Sequence, residues 1–218
     1  MTAQTVNTLN VIHTVKHKPF GSVFIEGTIH KNALRLDLLT KSSIEDPHII
    51  RLLARWRKKH ADWFPSQFPV TQIRTKKWLE KGVIDQSDRL LFMIYMAGVY
   101  RGHVGLYRFN RTGKTCEIDN IVRGRNGVKG MMEASIRLLM QWGKETLGIT
   151  GYTLQTTSDN IRAIALYTRL GFAEVKRTAL VYEKVSDGGQ WVRAPKTYSG
   201  TIHKYDVYMK WGNHGKKT

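Results

Sequence analysis

The sequence predicts an α+β protein built around a mixed sheet. Three observations point there. Strand-like runs follow one another at 89–96, 99–109 and 115–122 with only short turns at 97–98 and 111–113 between them, a meander that a pure strand–helix alternation does not produce. Helical patterns stand on both sides of that block. The chain has 218 residues, 41% hydrophobic and 24% charged, which is enough to bury a core without disulfides and ordinary for a globular protein.

The elements follow in order. Residues 1–32 are polar and mixed, with a strand-like run at 22–25, and read as an N-terminal extension. Residues 33–39 alternate loosely and suit a strand. Asp46 and Pro47 then fit an N-cap and a first helical position. Ile49, Ile50, Leu52, Leu53 and Trp56 keep helical spacing, and the same helix carries Arg51, Arg55, Arg57, Lys58 and Lys59. The aromatic, proline-bearing stretch 63–69 reads as a loop, and 71–81 as a second helix ended by Gly82. After the three strands comes a glycine-bearing loop over 123–130. A helix is predicted over 131–147, stopped by Gly148. Residues 152–156 suit a strand. Ser158 or Asp159 can cap a helix over 160–170 that Gly171 ends, and a long strand follows at 172–182. The stretch 187–201, with Gly188, Gly189 and Pro195, reads as a loop. A last strand is expected at 203–211, then a basic tail with Lys216 and Lys217. The division is an extension at 1–32, a domain at 33–211 and a tail at 212–218.

Charge is the compositional outlier. There are 35 Lys+Arg against 17 Asp+Glu, a formal net charge of +18. Such a field draws anions: nucleic acid, phosphate-bearing metabolites or an acidic membrane surface. No run of about 18 apolar residues is present, so no membrane-spanning helix is expected. The first 15 residues lack the basic start and apolar run of a secretory signal. The one cysteine, Cys116, allows no intramolecular disulfide and no Cys-rich zinc site. It reads as a core residue. No metal is expected, and a cytoplasmic setting fits.

The strand, loop and helix over 115–147 are where an anion would bind. N–H groups at a helix start, together with the helix dipole, hold phosphate. Gly124, Gly127 and Gly130 let the backbone approach a ligand, and Arg123, Arg125 and Lys129 add positive charge. The Walker pattern is absent, since the one Gly-Lys followed by Ser or Thr, Gly113-Lys114-Thr115, has Arg108 where the first glycine is required. The Rossmann pattern Gly-x-Gly-x-x-Gly is absent too.

The run Asn160-Ile-Arg-Ala163-Ile-Ala-Leu-Tyr167-Thr-Arg-Leu-Gly171-Phe172 resembles the Asn-x-x-Ala-x-x-x-Tyr-x-x-x-Gly-Phe motif of the GCN5-related N-acetyltransferase (GNAT) superfamily. The run from Glu117 to Arg123, the glycine loop and its helix are similar to that family's pyrophosphate-binding unit, and the element order over 34–182 fits. One departure is in the loop, where Gly127 and Gly130 are separated by two residues and not one, which leaves no family role for Arg125. The resemblance implies a GNAT-like α+β fold: a central mixed, mostly antiparallel sheet of six to seven strands with about four helices. It implies acetyl-coenzyme A as acyl donor. The coenzyme would be held by Ile121, Val122, Arg123, Asn126, Gly127, Val128, Lys129, Gly130 and Met131, and by Asn160, Ala163 and Tyr167. Direct attack of an amine on the thioester would follow, with Tyr167 protonating the thiolate.

The attacking amine needs a base. In a regular strand Glu117, Asp119 and Ile121 share one face, and Cys116, Ile118 and Asn120 the other. Glu117 and Asp119 are therefore the base candidates, with His103 on the adjoining strand a third. Some family members carry a glutamate near the position of Gln155, which cannot serve. Acceptor binding in the family falls to the first two helices and their loop, here the basic and aromatic stretch 51–81. Arg55, Lys58, Lys59, Trp63 and His103 are the substrate-binding candidates. A cationic polyamine or aminoglycoside would be repelled, and peptide N-termini are a further acceptor class that no sequence feature supports. A primary amine on an anionic carrier fits, and the longer pattern looks like acetyltransferases of amino-sugar and surface-polysaccharide pathways, so a nucleotide-linked amino sugar is expected. An amine-bearing nucleic acid is the alternative partner. A non-catalytic basic nucleic-acid-binding module is a further one, against which Tyr167 and the glycine loop speak. Either a monomer or a homodimer is compatible.

Overall fold

In a computed structural model of the chain, residues 3–110, 112 and 114–212 are described. The basic tail with Lys216 and Lys217 lies outside them. The helices are α1 (Ala3–Lys16), α2 (Pro47–Lys59), α3 (Gln72–Leu79), α4 (Met131–Leu147) and α5 (Ile161–Arg169). The strands are β1 (Phe24–Ile29), β2 (Asn32–Leu38), β3 (Ser66–Gln67), β4 (Leu90–Met96), β5 (Val99–Tyr107), β6 (Thr115–Arg123), β7 (Gly151–Thr157), β8 (Phe172–Val185), β9 (Gly188–Arg193) and β10 (Lys204–Trp211). Residues up to 56 together with 71–152 form one compact unit, and 57–70 with 153 onward form a second.

In the first unit the strands run β1-β2-β4-β5-β6, every pairing antiparallel. The expected meander is β4-β5-β6. The stretch that reads as an extension contributes α1 and β1, and β1 pairs along its whole length with β2. Helix α4 packs on β1 and β2 through the apolar face that carries Ile136 and Leu139, both fully buried. Asp46 caps α2 as expected, its Oδ1 accepting from the N–H of His48 at 2.8 Å. The buried face of α2 is Ile49, Ile50, Leu52, Leu53 and Trp56, the residues whose spacing predicts it. Gly82 does not end the second helix. The chain continues through a π-helical turn, Glu80–Ile84.

In the second unit the order is β7-β10-β8-β9-β3, again antiparallel throughout. Two expectations from sequence fail in this unit. The stretch 187–201 is not all loop: its first part is β9, folded back on β8 with Tyr182 opposite Trp191. The 63–69 loop contains β3, which pairs Ser66 with Gln190 and Gln67 with Gly189. Glycines that look like loop residues are strand residues because their backbone groups complete a ladder. The expectation of six to seven strands and about four helices is short by these and by the N-terminal elements.

Helix α1 is tied to the first unit by a buried cation. Lys16 is 3% exposed, and its Nζ donates to the carbonyls of Val83 at 2.8 Å, Ile84 at 3.2 Å and Gln86. The ammonium thus satisfies carbonyls that the π-helical turn leaves open. Burial pushes its pKa down to about 8, against the opposing pull of Asp88 and Asp85 and with a smaller push from Arg89. The folded chain therefore binds fewer protons here than the unfolded chain between about pH 8 and the ordinary lysine value near 10.5. Stability rises with pH across that window. The stability difference between wild type and Lys16→Met should change by about 2 kcal/mol in favour of wild type between pH 8 and pH 10. Chemical denaturation of both proteins at the two pH values measures it; a pH-independent difference would refute the buried, titrating ammonium.

Candidate functional site

Strand β6 is not regular. Asp119 pairs with Gly105, but Val122 pairs with His103, so Asn120 and Ile121 together stand opposite one residue of β5. Asn120 has φ 48°, in the left-handed region. This is a β-bulge, and it resets the pleat. Glu117 and Asp119 remain on one face, but Val122 now joins them through its pairing with His103, and Ile121 does not. The regular alternation expected from sequence fails beyond Asp119 for that reason.

The bulge is held from below. The Nδ1–H of His103 donates to the Asn120 carbonyl at 2.6 Å. The ring is 4% exposed and lies 6.0 Å from that of Trp56. His103, a base and substrate candidate by sequence, is thereby a support of β6. Trp56, 1% exposed, also explains Gly124. A Cβ there would lie 2.0 Å from the indole, so Gly124 is glycine for the tryptophan beneath it and not for a ligand.

Both acids of β6 have cationic partners. Asp119 is bound by Arg89, whose Nε lies 3.2 Å away, and by the Asn120 side-chain amide at 2.8 Å. Arg89 is itself fixed to the Gly82 carbonyl at 2.7 Å and stacks 3.9 Å from the Tyr107 ring. Burial raises the Asp119 pKa, opposed by Arg89 and Asn120. Glu117 meets the exposed Arg108 at 3.2 Å. Arg89 stands outside the candidates that the sequence offers; an arginine opening an otherwise apolar strand is the signal that would have found it.

Beyond β6 the chain turns over Arg101 into the loop. The N–H groups of Gly124 and Arg125 both donate to the Arg101 carbonyl at 2.8 Å, and its guanidinium holds the Met96 carbonyl at 3.1 Å and that of Asn126. With 124 and 125 so engaged, and the Met131 N–H donating to the Val128 carbonyl at 3.1 Å, the backbone donors left for an anion narrow to the stretch 126–130. Gly130 precedes α4 with φ 85°, a conformation that L-residues avoid, and space lies around it, the nearest atom to a Cβ being Ile29 Cδ1 at 3.5 Å. Arg123, Arg125, Asn126, Gly127, Lys129 and Gly130 are exposed, Val128 is partly covered and Met131 is buried. A helix start with left-handed glycine and flanking cations fits a pyrophosphate.

The second unit holds the other candidates. Asn160 caps α5, its Oδ1 accepting from the Ala163 N–H at 3.3 Å. The turn before it is fixed to β10 by the Ser158 N–H donating to the Tyr205 carbonyl at 2.8 Å and by Lys204 pairing with Asp159 at 3.0 Å. Tyr167 is buried, and burial raises its pKa, so the phenol carries its proton at neutral pH. The Cys116 thiol, in the first unit, is buried and also raised, as a core residue should be. Arg55, Lys58 and Lys59 are exposed along α2, and Trp63 is 44% exposed.

Residues 35–173 match the family described as acetyltransferase (GNAT) domain. No curated protein matches the chain. Among solved structures it is similar to a spermidine N-acetyltransferase from Vibrio cholerae in complex with CoA and spermine, with TM-score 0.59 and 17% identity over 81% of this chain and 94% of that one. It is also similar to a ribosomal L7/L12 alpha-N-protein acetyltransferase, with TM-score 0.59 and 15% identity over 89% of this chain and 98% of that one. A Salmonella typhimurium acetyltransferase that modifies the N-terminal serine of L7/L12 matches at TM-score 0.59 and 15% identity, over 86% of this chain and 97% of that one.

His103 can be tested as a support. His103→Leu leaves the Asn120 carbonyl without its donor and should destabilise the protein by about 1–3 kcal/mol. Denaturant unfolding with an unchanged midpoint would mean that the bulge does not depend on this ring.

Proposed function

Since the chain belongs to the acetyltransferase (GNAT) family, we propose how its residues divide the work of acetyl transfer to an anionic amine. The protein is an acyltransferase, and its donor is acetyl-coenzyme A, whose thioester carbonyl takes the attack of a primary amine directly. The carrying observation is the unit of bulged β6, basic loop and α4, with Gly130 at φ 85° and open space about it. Residues 126–130 and the N-terminus of α4 hold the pyrophosphate. The backbone at Ile121–Val122, at the C-terminal side of the bulge, bonds the pantetheine arm and orients the thioester oxygen.

Tyr167 donates the proton that the departing thiolate requires; its raised pKa keeps that proton available. Asn160 and Ala163 form the helix start beside the pantetheine. Glu117 takes the amine proton, through water; its ion-pair partner Arg108 is exposed. Asp119 is buried and bound by Arg89 and Asn120, so it orients the amine more than it takes its proton.

The acceptor is a primary amine carried on an anion, best matched by a nucleotide-linked amino sugar. Exposed Arg55, Lys58 and Lys59 and a net charge of +18 support it. The solved relatives include an enzyme for spermidine, but a polycation would approach this protein against its own field. An amine-bearing nucleic acid is the second reading, favoured by the size of that charge.

Two substitutions test the coenzyme and acid roles. Gly130→Val forces a branched side chain into a left-handed position at the helix start. Calorimetry should show acetyl-coenzyme A affinity falling about tenfold or more; unchanged affinity removes the loop from the site. Tyr167→Phe keeps the ring and removes the proton. Turnover should drop by about 10²–10⁴-fold with coenzyme affinity retained, and wild-type turnover would exclude the role.

A further inference from the structure

Two arginines withdrawn from solvent meet a carboxylate: Arg35 pairs with Asp37 at 2.8 Å, and Arg89 with Asp119. Arg57, at the end of α2, pairs with no carboxylate among the described residues. Its guanidinium lies 3.9 Å from the Phe64 ring centroid and 5.0 Å from that of Phe68. Its Nη2 donates to the Ser66 carbonyl, and Nη1 is buried with no hydrogen-bond partner. Burial pushes its pKa down to about 10. Among the described residues Arg101 also lacks a carboxylate, but two carbonyls take its hydrogen bonds and it has no buried orphan nitrogen.

A buried cation with an unused donor is costly unless a negative group completes it. Helix capping does not explain Arg57. Lys58 and Lys59 complement the helix dipole at the same end, whereas Arg57 reaches nine residues ahead to Ser66. The loop it reaches is braced. Ser66 and Gln67 pair with β9, and the Trp191 N–H donates to the Pro65 carbonyl at 2.8 Å. Strand β9 lies beyond the matched domain 35–173. Two rings and one carbonyl fix the plane of the guanidinium and leave Nη1 without a protein partner, the arrangement that suits a phosphate oxygen.

We infer that Arg57 is the acceptor-specificity residue: its Nη1 donates to a phosphate oxygen of the amine-bearing acceptor, with Phe64 and Phe68 holding the guanidinium plane. The inference rests on the anionic acceptor proposed above. The test is calorimetry on the full chain saturated with coenzyme A, using UDP-glucosamine as the charged probe and methyl glucosaminide as its neutral counterpart. Arg57→Gln keeps a planar amide between the rings and a donor to Ser66 but removes the charge. Wild type should prefer the charged probe, and Arg57→Gln should lose about 10- to 100-fold of that preference, with affinity for methyl glucosaminide and coenzyme A unchanged. Arg57→Lys keeps the charge and loses the flat fork, which serves if the fold needs a cation there. It should lose about threefold or more. If wild type prefers the charged probe and either folded variant keeps the full preference, Arg57 is not the anchor, although the anionic acceptor stands. If wild type shows no preference for the charged probe, the anionic acceptor falls and this inference with it.

Discussion

One residue in the left-handed region organises the first unit. Asn120, at φ 48° in the middle of β6, turns a strand that would otherwise pair along its whole length with β5 into one whose backbone is released for two residues. A non-glycine residue in this conformation carries a cost of the order of 1 kcal/mol, and the surrounding contacts hold it there. The Asn120 carbonyl accepts a hydrogen bond from the Nδ1–H of His103, its side-chain amide is bound to Asp119, and Asp119 is bound by Arg89. The pleat reset then sends the chain over Arg101 into the basic loop and on to α4. Trp56 of α2 closes the arrangement beneath Gly124 and beside His103. The core helix, the bulge and the turn over Arg101 are one packed assembly, in which a change in any of them displaces the others.

The protein carries its excess charge in two ways. Where acids exist, they serve the interior: Asp37 and Asp119 each neutralise an arginine within or beneath the sheet of the first unit. The cations left over are mostly solvated, along α2 and about the loop. Long-range attraction of anions follows from the surplus, whereas discrimination needs a charge that is desolvated and fixed in direction. Lys16 is desolvated but fully engaged with carbonyls. Arg57 is desolvated with Nη1 left without a protein partner.

Much of this is legible from residue order. The spacing of Ile49, Ile50, Leu52, Leu53 and Trp56 marks the buried face of α2, and Asp46 marks its start, because local capping and periodicity decide them. The helix over 131–147 and its stop at Gly148 follow from the same signals. The resemblance around Asn160 and Tyr167 points to the family that the match over 35–173 establishes. What is not legible depends on contacts far apart in sequence. The bulge at Asn120 is enforced by His103, 17 residues away, and no composition signal marks it. The two-residue β3 exists because β9 supplies its ladder partner across more than a hundred residues, and β9 is the return strand of a hairpin with β8. Gly124 looks like a ligand-facing glycine in the sequence because nothing local shows that Trp56 occupies the space a side chain would need. The role of the stretch 1–32 is hidden likewise: Lys16 finds its partners at 83–86.

Acetyl transfer to an anionic amine is tested most directly by product mass spectrometry. The wild-type protein and acetyl-coenzyme A would be incubated in parallel with UDP-glucosamine and with spermidine at matched concentration. An acceptor site built for an anionic amine requires acetylated UDP-glucosamine to form faster than acetylspermidine. Raising the salt should narrow the gap, since screening weakens both the attraction for the nucleotide sugar and the repulsion of the polyamine. Faster acetylation of spermidine at low salt would contradict an anionic acceptor.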